Sequence, residues 1–146
     1  MRPIAEVHVG EELPERARVV TAADVRAYAD AGGDQNPLHQ DDAFARGVGF
    51  PGIVAHGMFT MGHMAACLMG WTGRAGALEH LSAQFRAPVF VGEEIVAGGT
   101  VTGVDQATDV VKLETWVTVV RDGSTEFAVR KGSARVRLRR PDQSIS

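Results

Sequence analysis

The chain has 146 residues, a net charge of −3 and one cysteine. That excludes an internal disulfide and a multi-cysteine zinc centre, and it leaves no global charge argument for nucleic acid. Its 45% hydrophobic and 23% charged content is ordinary for a globular protein able to bury a real core, so a single domain over residues 1–146 is expected. A lone thiol, Cys67, fits a reducing, cytoplasmic setting.

MRPIAEVHVGEE turns acidic without an apolar run, so no signal peptide is expected there. Residues 1–20 read as an extended lead-in with a surface loop at Pro14 and a short strand at ARVV (17–20). Thr21 is an N-cap for a helix over Ala22–Ala31, with Asp24 completing a partial capping box. Val25, Tyr28 and Ala29 form its apolar face, and Gly32-Gly33 stops it. Asn36-Pro37 marks a turn, and Asp41 or Asp42 caps a short helix ending near Gly47. Residues 21–47 thus hold short helices and a polar turn.

The stretch His56–Gly70, HGMFTMGHMAACLMG, carries no Asp, Glu, Lys or Arg. Its apolar residues go all round a 3.6-residue period, so a helix buried on every side is predicted from Gly57, roughly 20 Å long. The wider uncharged run from Gly47 to Gly73 is broken by seven glycines and Pro51, and its apolar runs fall far short of the ~20 residues a membrane span needs. From Leu78 the pattern changes. Leu78–Arg86, Glu94–Val104, Val110–Val120 and Thr125–Leu138 have strand length and β-branched enrichment. Leu113, Val117 and Val119 alternate with Lys112, Glu114 and Thr118, which predicts one buried face. Gly92-Glu93, Asp105-Gln106 and Asp122-Gly123 are turn sites, and Gly132 marks a bulge. Helices first and a run of strands over 78–138 imply an α+β fold, an antiparallel sheet curled round one long helix.

Asp34 and His39 bracket the turn D-Q-N-P-L-H. A carboxylate and an imidazole held together can polarise one water or pass a proton to and from carbon; the same string also suits a plain surface turn. The Gly57 amide is an unsatisfied donor at a helix start, and in a dry site it can stabilise negative charge on a carbonyl oxygen. His56 just before it can reach a ligand or serve the core. His63 reads as a satisfied buried histidine, and Cys67 as inert packing. Met58, Met61, Met64 and Met69 can line an acyl channel or simply fill the core. Arg135, Arg137 and Arg139 alternate with apolar residues, a basic strand face followed by Arg140 that can meet phosphates or an acidic protein, or merely face solvent.

GDQNPLH (33–39) and AHGM (55–58), with APVFVGEEI (87–95) after the helix, resemble the MaoC-like hydratase/dehydratase family of the hotdog fold. NPLHQDD and AHGMFTMG look closest to the β-type subunit of mycobacterial (3R)-hydroxyacyl carrier-protein dehydratases. The resemblance is good over Thr21 to Val104 and is one of pattern beyond. It implies reversible hydration of a trans-2-enoyl thioester to the (3R)-hydroxyacyl thioester in fatty-acid metabolism. Asp34 and His39 would flank the water and manage the proton at C2, Asn36 would shape the turn or touch the ligand, and the Gly57 amide would hold the thioester carbonyl. His56 would support them. The substrate would be carried on coenzyme A or on a carrier-protein pantetheine, with no metal or redox cofactor. A homodimer or a heterodimer with another hotdog subunit is expected. Some short-chain members carry a serine two turns beyond the glycine; here that place is Ala65, an acyl-channel candidate with Met58 and Met61, and the small residues Gly62, Ala65 and Ala66 would leave room for a longer acyl chain.

Three alternatives follow from the same residues. Thioesterases of this fold generally place a carboxylate on the central helix, and residues 57–70 have none. A non-catalytic partner subunit is less consistent with Asp34, His39 and Gly57 occurring together. Asp34, His39 and His56 or His63 form a two-histidine, one-carboxylate set of the kind that binds iron or zinc.

Overall fold

A computed structural model describes residues 3–73 and 76–138. Strand β1 (Arg16–Val19) leads into helix α1 (Ala22–Gly32) and the short helix α2 (Asp42–Gly47). The long helix α3 (Gly57–Thr72) follows, then β2 (Gly76–Phe85), β3 (Glu94–Asp105), β4 (Val110–Arg121) and β5 (Ser124–Leu138). The sheet is antiparallel with order β1-β3-β4-β5-β2, which leaves β1 and β2 as its edges. This is the arrangement of sheet and helix that the resemblance implies.

Local chemistry fixes the element ends. At α1, Thr21 Oγ1 accepts from Asp24 N at 3.1 Å and Asp24 Oδ2 accepts from Thr21 N at 3.2 Å, a full capping box. Asp24 also binds Arg18 of β1 at 2.7 Å, tying the edge strand to the helix start. Asp41, not Asp42, caps α2 by accepting from Phe44 N. Between β4 and β5, Asp122 and Gly123 both have positive φ (51° and 75°), the pattern of a two-residue hairpin turn that matches strand twist. Along β4, Val111, Leu113, Thr115, Val117 and Val119 are buried while Lys112 and Glu114 are exposed, as the alternation predicts.

Gly132 sits where β5 shifts register against both β4 and β2. A Cβ there would lie 2.5 Å from Thr115 Oγ1 and 2.8 Å from Thr115 O, so only glycine lets the strands approach so closely. Lys131 beside it takes a positive φ of 51°. The bulge lets one strand bend and pair on both sides.

α3 runs two residues further than predicted, about 24 Å in all. Met64 and Leu68 are fully buried and join Ile95, Val101, Leu113, Val117 and Val129 in the core. Cys67 packs beside them, and burial pushes its thiol above its usual range. The expectation of burial on every side does not hold for a single chain. Gly57, Met58, Gly62 and Gly70 are exposed, Met58 by 55%. The sheet covers one side of the rod, and mean hydropathy says nothing about which side a one-sided wrap will reach.

The basic strand face is solvated, the plainer of its two readings. Arg135 and Arg137 do lie outward, but Glu79 from β2 pairs with both, at 3.5 and 2.5 Å, and Arg137 also donates to Thr108 O at 2.7 Å. Arg139, Arg140 and the tail PDQSIS lie outside the described residues. Among the described residues no helix is long and apolar enough to cross a membrane.

Candidate active site

The turn after α1 is organised by its own side chains. Asp34 Oδ1 accepts from Asn36 N at 3.2 Å, and Asn36 Oδ1 accepts from Leu38 N at 3.0 Å, capping a single 3-10 turn over Pro37–His39. Asn36 therefore shapes the turn. One Asp34 oxygen is tied locally, and the other, Oδ2, faces His39 Nε2 at 3.8 Å and His56 Nε2 at 4.0 Å. The predicted pair is thus brought together, with Asp34 55% exposed in a single chain and His39 15%.

His39 Nδ1 lies 2.5 Å from Val54 O. A carbonyl only accepts, so Nδ1 carries a proton, and in the neutral ring Nε2 is left with its lone pair. That lone pair is on the Asp34 side. The 3.8 Å gap is too long for a direct hydrogen bond, but one water at ~2.8 Å from each atom would fit it.

His56 is the N-cap residue of α3 and is 3% exposed. It makes no side-chain cap; Nε2 donates to Asp34 O at 3.2 Å, and the ring stacks on His39 at 3.8 Å with Tyr28 4.9 Å away on its own contact. Its Nδ1 is buried with no hydrogen-bond partner among the described residues. Asp34, His39 and His56 form a cluster whose candidate donor atoms lie within 4.8 Å of one another. The set fits an ion poorly. Two rings stacked at 25° send their in-plane lone pairs nearly side by side rather than toward one point, and His56 Nε2 already donates to a carbonyl. His63 lies elsewhere, held by Arg16 O at 2.8 Å, with burial depressing its basicity.

Gly57, the first residue of α3, lines a cleft of about 390 Å³ with His39. Its N–H has no partner within the helix, and the partial positive charge of the helix start lies there. A Cβ at Gly57 would press on the Phe85 ring at 3.4 Å. The remaining wall is Val54, Ala55, Thr60, Ala128 and the segment Phe85–Val89. Met58, Met61 and Ala65 do not line it. Met58 points to solvent in the single chain, Met61 packs on the core, and the cleft opens toward the end of β2 instead. Sequence reading missed Thr60, Arg86 and the 85–89 wall. Thr60 had a signal, one turn below Gly57 and so on the same helix face; Arg86 had none beyond its place next to APVFVGEE. Arg86 donates to the neutral Gln84 Oε1 at 2.7 Å, and among the described residues it is the one Lys or Arg on the cleft.

The cleft is apolar with a few convergent polar groups, the usual form of a small-molecule site. His39 and the helix-start amide of Gly57 line it, and the Asp34 carboxylate stands outside the lining, 3.8 Å from His39 Nε2, a set suited to adding or removing water next to a carbonyl.

Comparison with known proteins gives the family and the fold. The family model of the MaoC like domain matches residues 5–126. The (R)-specific enoyl-CoA hydratase of Rhodospirillum rubrum is 32% identical over 119 residues, covering 77% of this chain and 83% of that protein. The 3-hydroxyacyl-thioester dehydratase X of Mycobacterium tuberculosis is 40% identical over 82 residues, covering 55% of this chain; the chain spans only 28% of that longer relative. Among solved structures, the (R)-hydratase from A. caviae involved in PHA biosynthesis superposes with a TM-score of 0.83 at 30% identity, over 91% of this chain and 98% of that one.

Proposed function

The chain belongs to the MaoC-like family, and from that premise we propose that it hydrates trans-2-enoyl thioesters to (3R)-hydroxyacyl thioesters, and runs the reverse dehydration. The observation that carries this is the His39 Nδ1–Val54 O bond, which leaves Nε2 free toward Asp34 with Gly57 in the same cleft.

The thioester carbonyl sits at the Gly57 N–H. Asp34 Oδ2 and His39 Nε2 hold one water over C3. His39 Nε2 takes a proton from that water as its oxygen bonds to C3. The π electrons move through C2 onto the carbonyl oxygen, where the helix-start amide stabilises the enolate. Collapse of the enolate takes the proton back from His39 at C2. One water is added, and no oxidant, metal or cofactor takes part. The substrate is carried as a coenzyme A or carrier-protein pantetheine thioester, and Cys67, buried and inert, fits a reducing cytoplasmic setting.

The reading includes a dimer, either of this chain or with another hotdog subunit. Supporting it are the open edge of β2, the uncovered side of α3 and the exposed Met58, Phe85 and Phe127. Solved structures of the same fold include the ChsH1-ChsH2 and HadBC complexes of M. tuberculosis, each at 17% identity.

The test is hydration of crotonyl and decenoyl thioesters on both carriers by the purified chain, followed by loss of enoyl absorbance. Turnover that disappears in Asp34→Asn supports the reading. Inactivity on every thioester, alone and with added hotdog subunits, overturns it.

A further inference from the structure

β4 ends at Arg121, whose guanidinium is engaged on every nitrogen. Nε and Nη2 bind Glu93 Oε2 and Oε1 at 2.8 and 2.7 Å, a bidentate pair. Nη2 also donates to Pro88 O at 2.8 Å, and Nη1 reaches Glu126 Oε2 at 3.2 Å. The guanidinium carbon lies 5.0 Å from the Phe90 ring centre. Glu93 Oε1 in turn accepts from Phe90 N at 2.8 Å. Arg121 and Glu93 are mostly buried, 23% and 17% exposed. Burial alone would raise the Glu93 carboxyl, yet the Arg121 fork and the Phe90 amide outweigh it and hold the group below the usual carboxylate range. Together these contacts latch the segment 88–93 to the end of the sheet.

That segment carries a second one. Ala55 N donates to Val89 O at 2.7 Å, Val91 N donates to Ile53 O at 3.1 Å, and Val54 pairs with Phe90 in an antiparallel bridge. The 53–55 segment lies in turn against the site: Val54 N donates to Leu38 O at 3.0 Å, and Val54 O accepts a hydrogen bond from His39 Nδ1–H.

We propose that the Arg121–Glu93 pair is a positioning device for His39, setting through the segments 88–91 and 53–55 where Val54 O stands and hence which ring nitrogen of His39 keeps its proton. Neither residue touches the reacting atoms. The proposal rests on the reading of His39 as the proton carrier, but its consequence at the imidazole can be measured without turnover. An unlatched segment 88–91 lets Val54 O drift from Nδ1, and the proton can then move to Nε2. A ring in that form cannot accept from water on the Asp34 side.

The test uses the full chain with ¹⁵N-labelled histidine and the variants Arg121→Gln, Arg121→Lys and Glu93→Gln. The ¹⁵N shifts of the ring nitrogens report the tautomer, and His63, held by Arg16 O on another part of the sheet, is the internal reference. In Arg121→Gln and Glu93→Gln, His39 shows a mixed tautomer while His63 stays as in the parent. kcat on an enoyl thioester falls about tenfold, less than the ~10²-fold of a 1 Å misplacement, with KM nearly unchanged. Arg121→Lys keeps the charge without the fork and is intermediate; it carries the measurement should the glutamine variants not fold. An unchanged His39 tautomer in a folded variant overturns the proposal, as does an equal change at His39 and His63, which marks general loosening. A shifted tautomer in a chain that hydrates nothing sustains the positioning role and sinks the enzymatic reading.

Discussion

Two histidines stand seven residues apart at α3, and both are buried: His56 at 3% and His63 at 6% exposure. Their surroundings differ. His63 has a backbone carbonyl of β1 at 2.8 Å, with Arg16 and Arg18 of that strand acting on it by their charge. His56 has an unpartnered Nδ1, a second imidazole stacked on its face and a carboxylate oxygen 4.0 Å from Nε2. Burial alone therefore does not separate a structural histidine from one beside the chemistry. Unused hydrogen-bonding capacity does, because a buried group without a partner is costly and persists where the surroundings have another requirement.

Substitutions sharpen this contrast. The largest effects belong to the turn beside His56. Asp34→Asn and His39→Ala each lower kcat by about 10³-fold or more, at the upper part of the range for a positioned acid or base, while the far-ultraviolet spectrum stays that of the parent. If both lose less than about tenfold, the contrast is broken. Gly57→Ala follows: the added methyl meets the Phe85 ring at 3.4 Å, and crowding at the carbonyl site costs about 10- to 10²-fold in kcat, somewhat less than deleting such a donor outright. Its denaturant midpoint stays within error of the parent.

At the other histidine the readout changes from rate to stability. His63→Leu strands Arg16 O without its donor and destabilises by about 1–3 kcal/mol, with kcat per folded molecule unaltered; a large loss of kcat there would erase the distinction. The smallest effect is one of pH. Burial depresses the native His63 basicity below its unfolded value. The folded state then binds fewer protons at this residue than the unfolded state, so its contribution is full above about pH 6.5 and is lost as pH falls through the depressed native value. Replacing His63 flattens that stretch of the stability curve, which chemical denaturation at successive pH values will show.

Much of this was legible in the sequence where the cause is local. Thr21 and Asp24 cap within four residues, Asp34 to His39 is one turn, and Asp122-Gly123 needs no partner to be a hairpin. The strands followed from alternation, and their ends fell within two residues of those observed. What was hidden depends on partners far along the chain. Ala55 meets Val89, Arg121 meets Glu93 across 28 residues, and Glu79 neutralises the arginines of a neighbouring strand. No periodicity in one segment encodes such pairings. The enclosure of α3 was overestimated for a related reason: an uncharged helix face and a covered one have the same composition, and Gly62 and Gly70 show that small residues can satisfy the first without the second. The methionines stayed ambiguous in sequence for the same cause, since an adaptable side chain fits a lining or a filling equally well.

The bulge at Gly132 reaches beyond its own neighbourhood. β5 is stitched to a partner along each flank, and both seams slip at that point because a single carbon is missing. Any side chain there would push Thr115 and Ser82 apart at once, so damage would spread as a change in the curl of the whole sheet rather than as a local dent. The concavity that cups α3, and with it the mouth where Phe85 meets Gly57, is in this sense drawn by an atom the molecule does without.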